Sequence, residues 1–357
     1  DEALRRVLSV AQPAVLAVVL LALSALARPA PAADDFAYVR SLADATDRDA
    51  VVVVDTRALA ECRARSLAGA RCLPADDLLG PQRRLPSARD LLWLLGTVGL
   101  SGRETVIVVG QEATSRDFVA GLLYLAGQRQ VRIVAEPVAR LLGAGAAAAP
   151  GRERGMVRET VFEAPMREGL WVLRDELRDA LRSPGPAPTL LDGRADGEYW
   201  GETARAPRTG HLPGAISLPA VQLRAALEPG RERRPVLPQG PVVAYAHDAF
   251  EGLAYLSLLA AGHGVAARIY PEGWAEWAAD GALPADAAGY PERGTTAASS
   301  QALARAPAPS TVAPIASAAA RPGIAWPPAG ALLAAALALV LAAFAGGWWL
   351  AGRRAAR

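Results

Sequence analysis

The sequence predicts an α/β protein in which a parallel sheet flanked by helices occurs twice in succession, with one or two membrane-spanning helices outside them. Three observations predict it. Short unbroken apolar runs rich in valine, at 51–54, 105–109 and 241–245, recur between Ala/Leu-rich stretches of helical length. Such runs suit parallel strands covered on both faces. An Asp-x-Arg tripeptide follows the first such strand of each half, at Asp55–Arg57 and Asp192–Arg194, with Glu61 and Glu198 close behind. Finally, an apolar run from Pro13 to Ala27 and another from Ala329 to Leu350 stand outside the alternating region.

Composition narrows the classes of function. A length of 357 residues suits two domains of ordinary size plus further segments, and 52% apolar residues are ample for a core. A net charge of +2 with no basic block argues against nucleic acid as a partner. All 38 cationic side chains are arginine, which we read as the codon bias of a GC-rich bacterium. The two cysteines, Cys62 and Cys72, fit no zinc spacing. No metal and no cofactor is expected.

Taken in order, residues 1–33 carry an Arg5-Arg6 flank, the apolar run and a small-x-small site near Ala30 to Ala33. They read as a secretory signal or, counted from Val7, as an N-terminal membrane anchor; either one exports the domains downstream of it. Residues 34–143 form a βα-type domain: a helix over Asp35–Ala45, the strand Val51–Val54, a helix over Ala88–Leu95, the strand Thr105–Val109, a helix reaching Leu125 and the strand Val131–Val134. Residues 144–168 are an Ala/Gly/Arg-rich connector. Residues 169–284 form the second domain, with strands at Thr189–Leu191 and Pro241–Tyr245 and an insertion over Gly201–Thr209. Residues 285–328, rich in Ala, Pro, Ser and Thr, have little to bury and read as a tether. Residues 329–351 are long and apolar enough to span a bilayer, with Trp326 before the run and Trp348-Trp349 near its end. Arg353, Arg354 and Arg357 in the tail 352–357 place the C-terminus in the cytoplasm, hence the domains on the periplasmic side of a bacterial inner membrane.

Set side by side, Asp192-x-Arg194, Glu198-Tyr199, Gly210-His211-Leu212-Pro213-Gly214-Ala215, Val242–Tyr245 and Gly273-Trp274-Ala275-Glu276-Trp277 resemble the rhodanese family of sulfurtransferases. Asp55-x-Arg57, Glu61-Cys62 and the stretch Ser66–Pro74 resemble a second, more eroded copy, with Ser66 at the histidine position and Ala68 at the proline. The resemblance implies a tandem rhodanese-like fold, with a persulfide-bearing cysteine directly after the central strand. That position is Ala246 in one copy and Gly110 in the other. The two loops, Ala246-His247-Asp248-Ala249-Phe250-Glu251-Gly252 and Gly110-Gln111-Glu112-Ala113-Thr114-Ser115-Arg116, contain no thiol, and Glu251 falls near where the family often has arginine.

In the family the thiolate is the catalytic device, lowered in pKa by loop N–H dipoles and a nearby cation. Without it no catalytic residue is expected here. Asp55, Arg57, Glu61, Asp192, Arg194 and Glu198 are expected in buried Arg–carboxylate networks tying each strand end to the next helix. His211 is expected to bond backbone within its loop, and Trp274, Glu276 and Trp277 to be structural. In an exported chain Cys62 and Cys72 read as either a disulfide or a pair of reactive thiols, and spacing alone does not decide. Along 329–351, Ala334, Ala338, Ala342 and Gly346 form a strip of small residues suited to close helix packing. The leading reading is a membrane-held, non-catalytic binding or scaffolding protein, an accessory subunit of an energy-transducing membrane complex with an integral-membrane partner. The alternatives are a sulfurtransferase and a non-covalent carrier of a small sulfur anion.

Overall fold

The valine run at 51–54 becomes an interior strand of the first of two parallel sheets. The structure, a computed structural model, describes residues 35–45, 51–185, 187–228, 230 and 235–286. The expectations for 1–33, for most of the tether, for the span 329–351 with Ala334, Ala338, Ala342 and Gly346, and for the tail lie outside the described residues. Among the described residues no helix is long and apolar enough to cross a membrane.

In chain order the first half comprises β1 (Phe36–Val39), α1 (Leu42–Ala45), β2 (Val51–Asp55), α2 (Leu59–Ala64), β3 (Ser66–Leu67) and β4 (Arg71–Cys72). It continues with α3 (Ala88–Thr97), β5 (Thr105–Val109), α4 (Ala113–Ala126), β6 (Gln130–Val134), α5 (Val138–Gly143) and β7 (Ala148–Ala149). The second half comprises α6 (Arg174–Arg182), β8 (Thr189–Asp192), α7 (Asp196–Tyr199), β9 (Ile216–Ser217), α8 (Ala220–Ala226), β10 (Val242–Tyr245), α9 (Ala249–Ser257), β11 (Ala267–Ile269) and α10 (Gly273–Ala279). The sheets run β1-β6-β5-β2-β4 and β11-β10-β8-β9, and every pairing within them is parallel. Trp171 bridges Ile269 in parallel, with Val172 N–H donating to Ile269 O at 2.8 Å. That segment takes beside β11 the outer place that β1 holds beside β6, so both sheets follow one connection order.

One expectation is corrected. Residues 35–45 do not form a helix: Phe36–Val39 is an edge strand and only Leu42–Ala45 turns helical. Register with β6 and a stacked Phe36–Tyr124 pair at 4.3 Å decide it, since strand preference depends on the neighbours a side chain meets.

The largest hydrophobic cluster runs through both halves, drawing on Val108, Phe118 and Leu122 from the first and Leu253, Leu256 and Ile269 from the second, and each half adds a smaller cluster of its own. At the centre of the largest, α4 lies against α9. A Cβ at Gly121 would stand 2.3 Å from Leu253 O, so glycine permits the crossing. Beside it Asp117, fully buried, bonds Arg116 on its own helix and Arg224 on α8 at 2.9 Å, while Ser257 Oγ donates to Asp117 O at 2.6 Å. The connector folds back on the first half. Its β7 pairs antiparallel with β3, and Gly151 packs directly over the sulfurs of Cys62 and Cys72, which form a disulfide with a Cα–Cα distance of 5.8 Å.

Candidate functional site

The C-terminal ends of β8 and β10 carry the candidate site, because parallel strands release their loops together there. Asp192, ending β8 and fully buried, takes both Nε and Nη2 of Arg194 and the hydroxyl of Tyr245. Arg194 also donates to Gly210 O at 2.8 Å, and its guanidinium lies 4.8 Å from the Trp274 ring. Burial would lower the Arg194 pKa, but the Asp192 hydrogen bonds and charge outweigh it and hold it above its ordinary value. Burial, reinforced by the Asp192 charge, pushes the Tyr245 hydroxyl well above its ordinary value.

After β10 the chain curls through Ala246 and His247 to Asp248, whose side chain accepts from Glu251 N–H at 3.0 Å and caps α9. The carbonyls of Ala246 and His247 accept from Trp274 and Ala275 of α10. Gly273 makes this approach possible: its φ is +59° and a Cβ would meet Ala246 O at 2.4 Å. The turn is buttressed by Trp274 Nε1 donating to Arg208 O and Trp277 Nε1 donating to Pro284 O, while Glu276 accepts from the Tyr270 hydroxyl. From the first half, Arg83 reaches Asp248 at 3.0 Å and lies over Phe250, and Arg84 reaches Glu276 at 3.2 Å.

A cleft of about 400 Å³ opens beside this loop, with Ala246, Phe250, Glu251, Val221 and Thr114 among its walls. Phe250 forms a wall rather than a plug, resting 5.0 Å from Phe118. Ala246, 2% exposed, lies in the same wall. The cleft's electrostatics are closed, however. Arg194 is bound to Asp192, Arg224 to Asp117, and Arg205 to both Glu198 at 3.3 Å and Glu251 at 2.7 Å. Burial would raise the Glu198 carboxyl, yet His247, Arg205 and Arg194 together hold it below its ordinary value; His247 Nδ1 is 3.4 Å away. Three guanidinium groups thus face four carboxylates, leaving no uncommitted cation there among the described residues.

The first loop is arranged otherwise. A Cβ at Gly110 would fall 2.3 Å from Thr56 Oγ1 and 3.1 Å from Arg116 Cβ, so that position has no room for a side chain. Arg116 is buried, bonding Asp117 and donating to Ala135 O at 2.8 Å, and is not presented to a ligand. Gln111 accepts from Ala139 N–H, Glu112 precedes α4 without a side-chain cap, and Ala113, Thr114 and Ser115 begin the helix. Of these only Thr114 reaches the cleft of the second half.

Two expectations about the networks are corrected. Asp55 binds Arg57 through two oxygens and accepts from Ser66 Oγ at 2.6 Å, but Glu61 is exposed on α2 and stands outside. Cys62, buried on the same short helix, sets the inward direction there. His211 does not bond within its own loop: its Nδ1 is 3.1 Å from Tyr199 O, and its ring stacks on Tyr199 at 3.8 Å. Its backbone instead pairs with Asp286. Sequence reasoning missed Asp117, Arg205 and Arg224. A lone Arg–Asp pair inside the apolar run of α4 was a signal for the first; the insertion that supplies Arg205 offered none.

Comparison with known proteins agrees with this geometry. The sequence profile of the rhodanese-like domain matches residues 173–280, which contain β8 to β11 and the cleft loop. No curated protein sequence matches the chain. Among solved structures, a probable thiosulfate sulfurtransferase superposes with a TM-score of 0.50 at 27% identity, over 67% of this chain and 98% of that one. The anaerobic ergothioneine biosynthesis enzyme from Chlorobium limicola, solved with trimethyl histidine, gives 0.56 at 20% identity over 68% of this chain, which spans 65% of that enzyme's length. Wild-type EanB gives 0.56 at 20% identity, with coverage of 68% and 64%. The chain therefore carries a rhodanese-like domain on an α/β fold with parallel sheets.

Proposed function

We propose that this chain is a catalytically inactive, tandem rhodanese-like protein, exported and held to the bacterial inner membrane, that serves as a binding or scaffolding module. Ala246 carries the reading. A methyl group stands where the resemblance puts the persulfide cysteine, in a cleft whose three arginines are each bound to carboxylate. Sulfur transfer of this type needs a thiolate to accept the sulfane sulfur. The chain's only sulfur atoms besides methionine are joined in a buried disulfide under Gly151. The committed arginines also disfavour the anion-carrier alternative. The span at 329–351 would bring the module to an integral-membrane partner, an energy-transducing complex of which it is an accessory subunit.

The test is cyanolysis of thiosulfate by the full chain in detergent. We expect the rate to match the buffer control. Turnover that survives replacing Cys62 and Cys72 with serine refutes the reading, as does turnover that this replacement abolishes.

A further inference from the structure

The 155–160 segment crosses the C-terminal end of α3. Gly155 N–H donates to Thr97 O at 2.9 Å and Glu159 N–H to Gly96 O at 3.0 Å. Gly96 allows this contact, since a Cβ there would come within 2.6 Å of Thr160 O. Pinned at both ends, the bend projects Met156 and Val157 into solvent, 90% and 73% exposed. Val161 and Trp93 are exposed beside it, and a groove of about 510 Å³ separates Trp93 from Arg158, with Arg89 also in its wall. Three acidic groups nearby are paired with cations: Glu153 with Arg63, Glu159 with Arg152 and Glu163 with Arg103. Asp90, also in the groove wall, accepts from Ser87 Oγ and keeps its charge, so two guanidinium groups face one carboxylate there. Arg89 and Arg158 have no ion pair or hydrogen bond from their guanidinium groups among the described residues.

We propose that this face docks on an anionic phospholipid surface. Unpaired guanidinium groups at the base of an apolar projection match the headgroup boundary, where cations meet phosphate while apolar tips reach acyl chains. A convex bend of two adjacent side chains is a poor start for a protein interface, which needs roughly 800 Å² from each partner. The inference rests on the membrane-held reading, which keeps a bilayer within reach of the domains.

The test uses the full chain carrying Val157→Cys, labelled with the environment-sensitive fluorophore NBD while the native disulfide is intact. It is reconstituted into vesicles of phosphatidylcholine alone or with phosphatidylglycerol added. We expect a blue-shifted label, shielded from aqueous iodide, with phosphatidylglycerol, and an iodide-accessible one without it. Arg89→Glu with Arg158→Glu should lower the docked-to-free ratio about 30-fold or more, since each basic residue near an anionic surface contributes about 1 kcal/mol. A label equally accessible in both vesicles overturns the proposal; so does shielding that survives the double reversal or that occurs in detergent without lipid. Flotation of the chain with vesicles reports the membrane-held reading separately. Flotation with an exposed label refutes the docking face alone, whereas absence of flotation refutes the anchor.

Discussion

Replacing Gly121 with alanine should loosen the joint between the two halves. The added Cβ would stand 2.3 Å from Leu253 O, 2.9 Å from Ser257 Oγ and 3.0 Å from Leu253 C. Two of these are backbone atoms of α9, so no side-chain rotation relieves the contact. An ordinary C···O approach is about 3.3 Å, and the helices must therefore part by about 1 Å. Overpacking of this kind costs about 1–3 kcal/mol, against which alanine's helix preference returns up to about 1 kcal/mol. A net loss of about 1–2 kcal/mol corresponds to a fall in Tm of about 2–8 °C for a unit of this size. Thermal denaturation of the full chain in detergent reads it directly. Gly143→Ala is the control, because a Cβ there meets nothing within 4 Å. A Gly121→Ala protein as stable as the parent would refute the reasoning and show slack between α4 and α9.

Cysteine introduced at the two loop positions should behave oppositely. Ala246→Cys should fold with little change in Tm and react with iodoacetamide, whereas Gly110→Cys should lose about 1–3 kcal/mol through its clash with Thr56; equal tolerance would refute the difference. Replacing Cys62 and Cys72 with serine should cost about 2–3 kcal/mol, because the bridge closes a short loop with a sequence separation of 10. An unchanged denaturation midpoint would contradict it. Burial, joined by the Glu276 and Asp248 charges, raises the Glu272 carboxyl despite Arg84. A folded pKa above the unfolded one means that its stabilising contribution is full below the unfolded value and lost as pH rises through the folded one. Glu272→Gln should therefore melt higher than the parent at neutral pH, with the gap closing on acidification; a gap that widens in acid would reverse the sign. The proposed helix contact through 329–351 predicts that Ala338→Leu with Ala342→Leu lowers copurification of a membrane partner while the protein's level in the membrane holds; unchanged copurification would show that the strip makes no contact.

What the sequence determined by itself is local and periodic. The run Thr105–Val109 is a strand end to end because β-branched residues covered on both faces have few other places to go. The Asp-x-Arg tripeptides specify their own bidentate pairs, since donor and acceptor are two residues apart on the same strand end. The same motif shows where such reading stops. Glu61 and Glu198 occupy equal spacings, yet Glu61 faces solvent while Glu198 is buried beside His247 and Arg205. What surrounds a side chain at that position comes from an insertion and a loop distant in the chain. Tertiary structure alone likewise made Phe36–Val39 a strand, turned Cys62 towards Cys72 beneath Gly151, and joined Asp117 to Arg224, 107 positions away. It also committed every arginine of the cleft to a carboxylate. Charge neutralisation is a property of distances between side chains, and those distances exist only once the two sheets share a core.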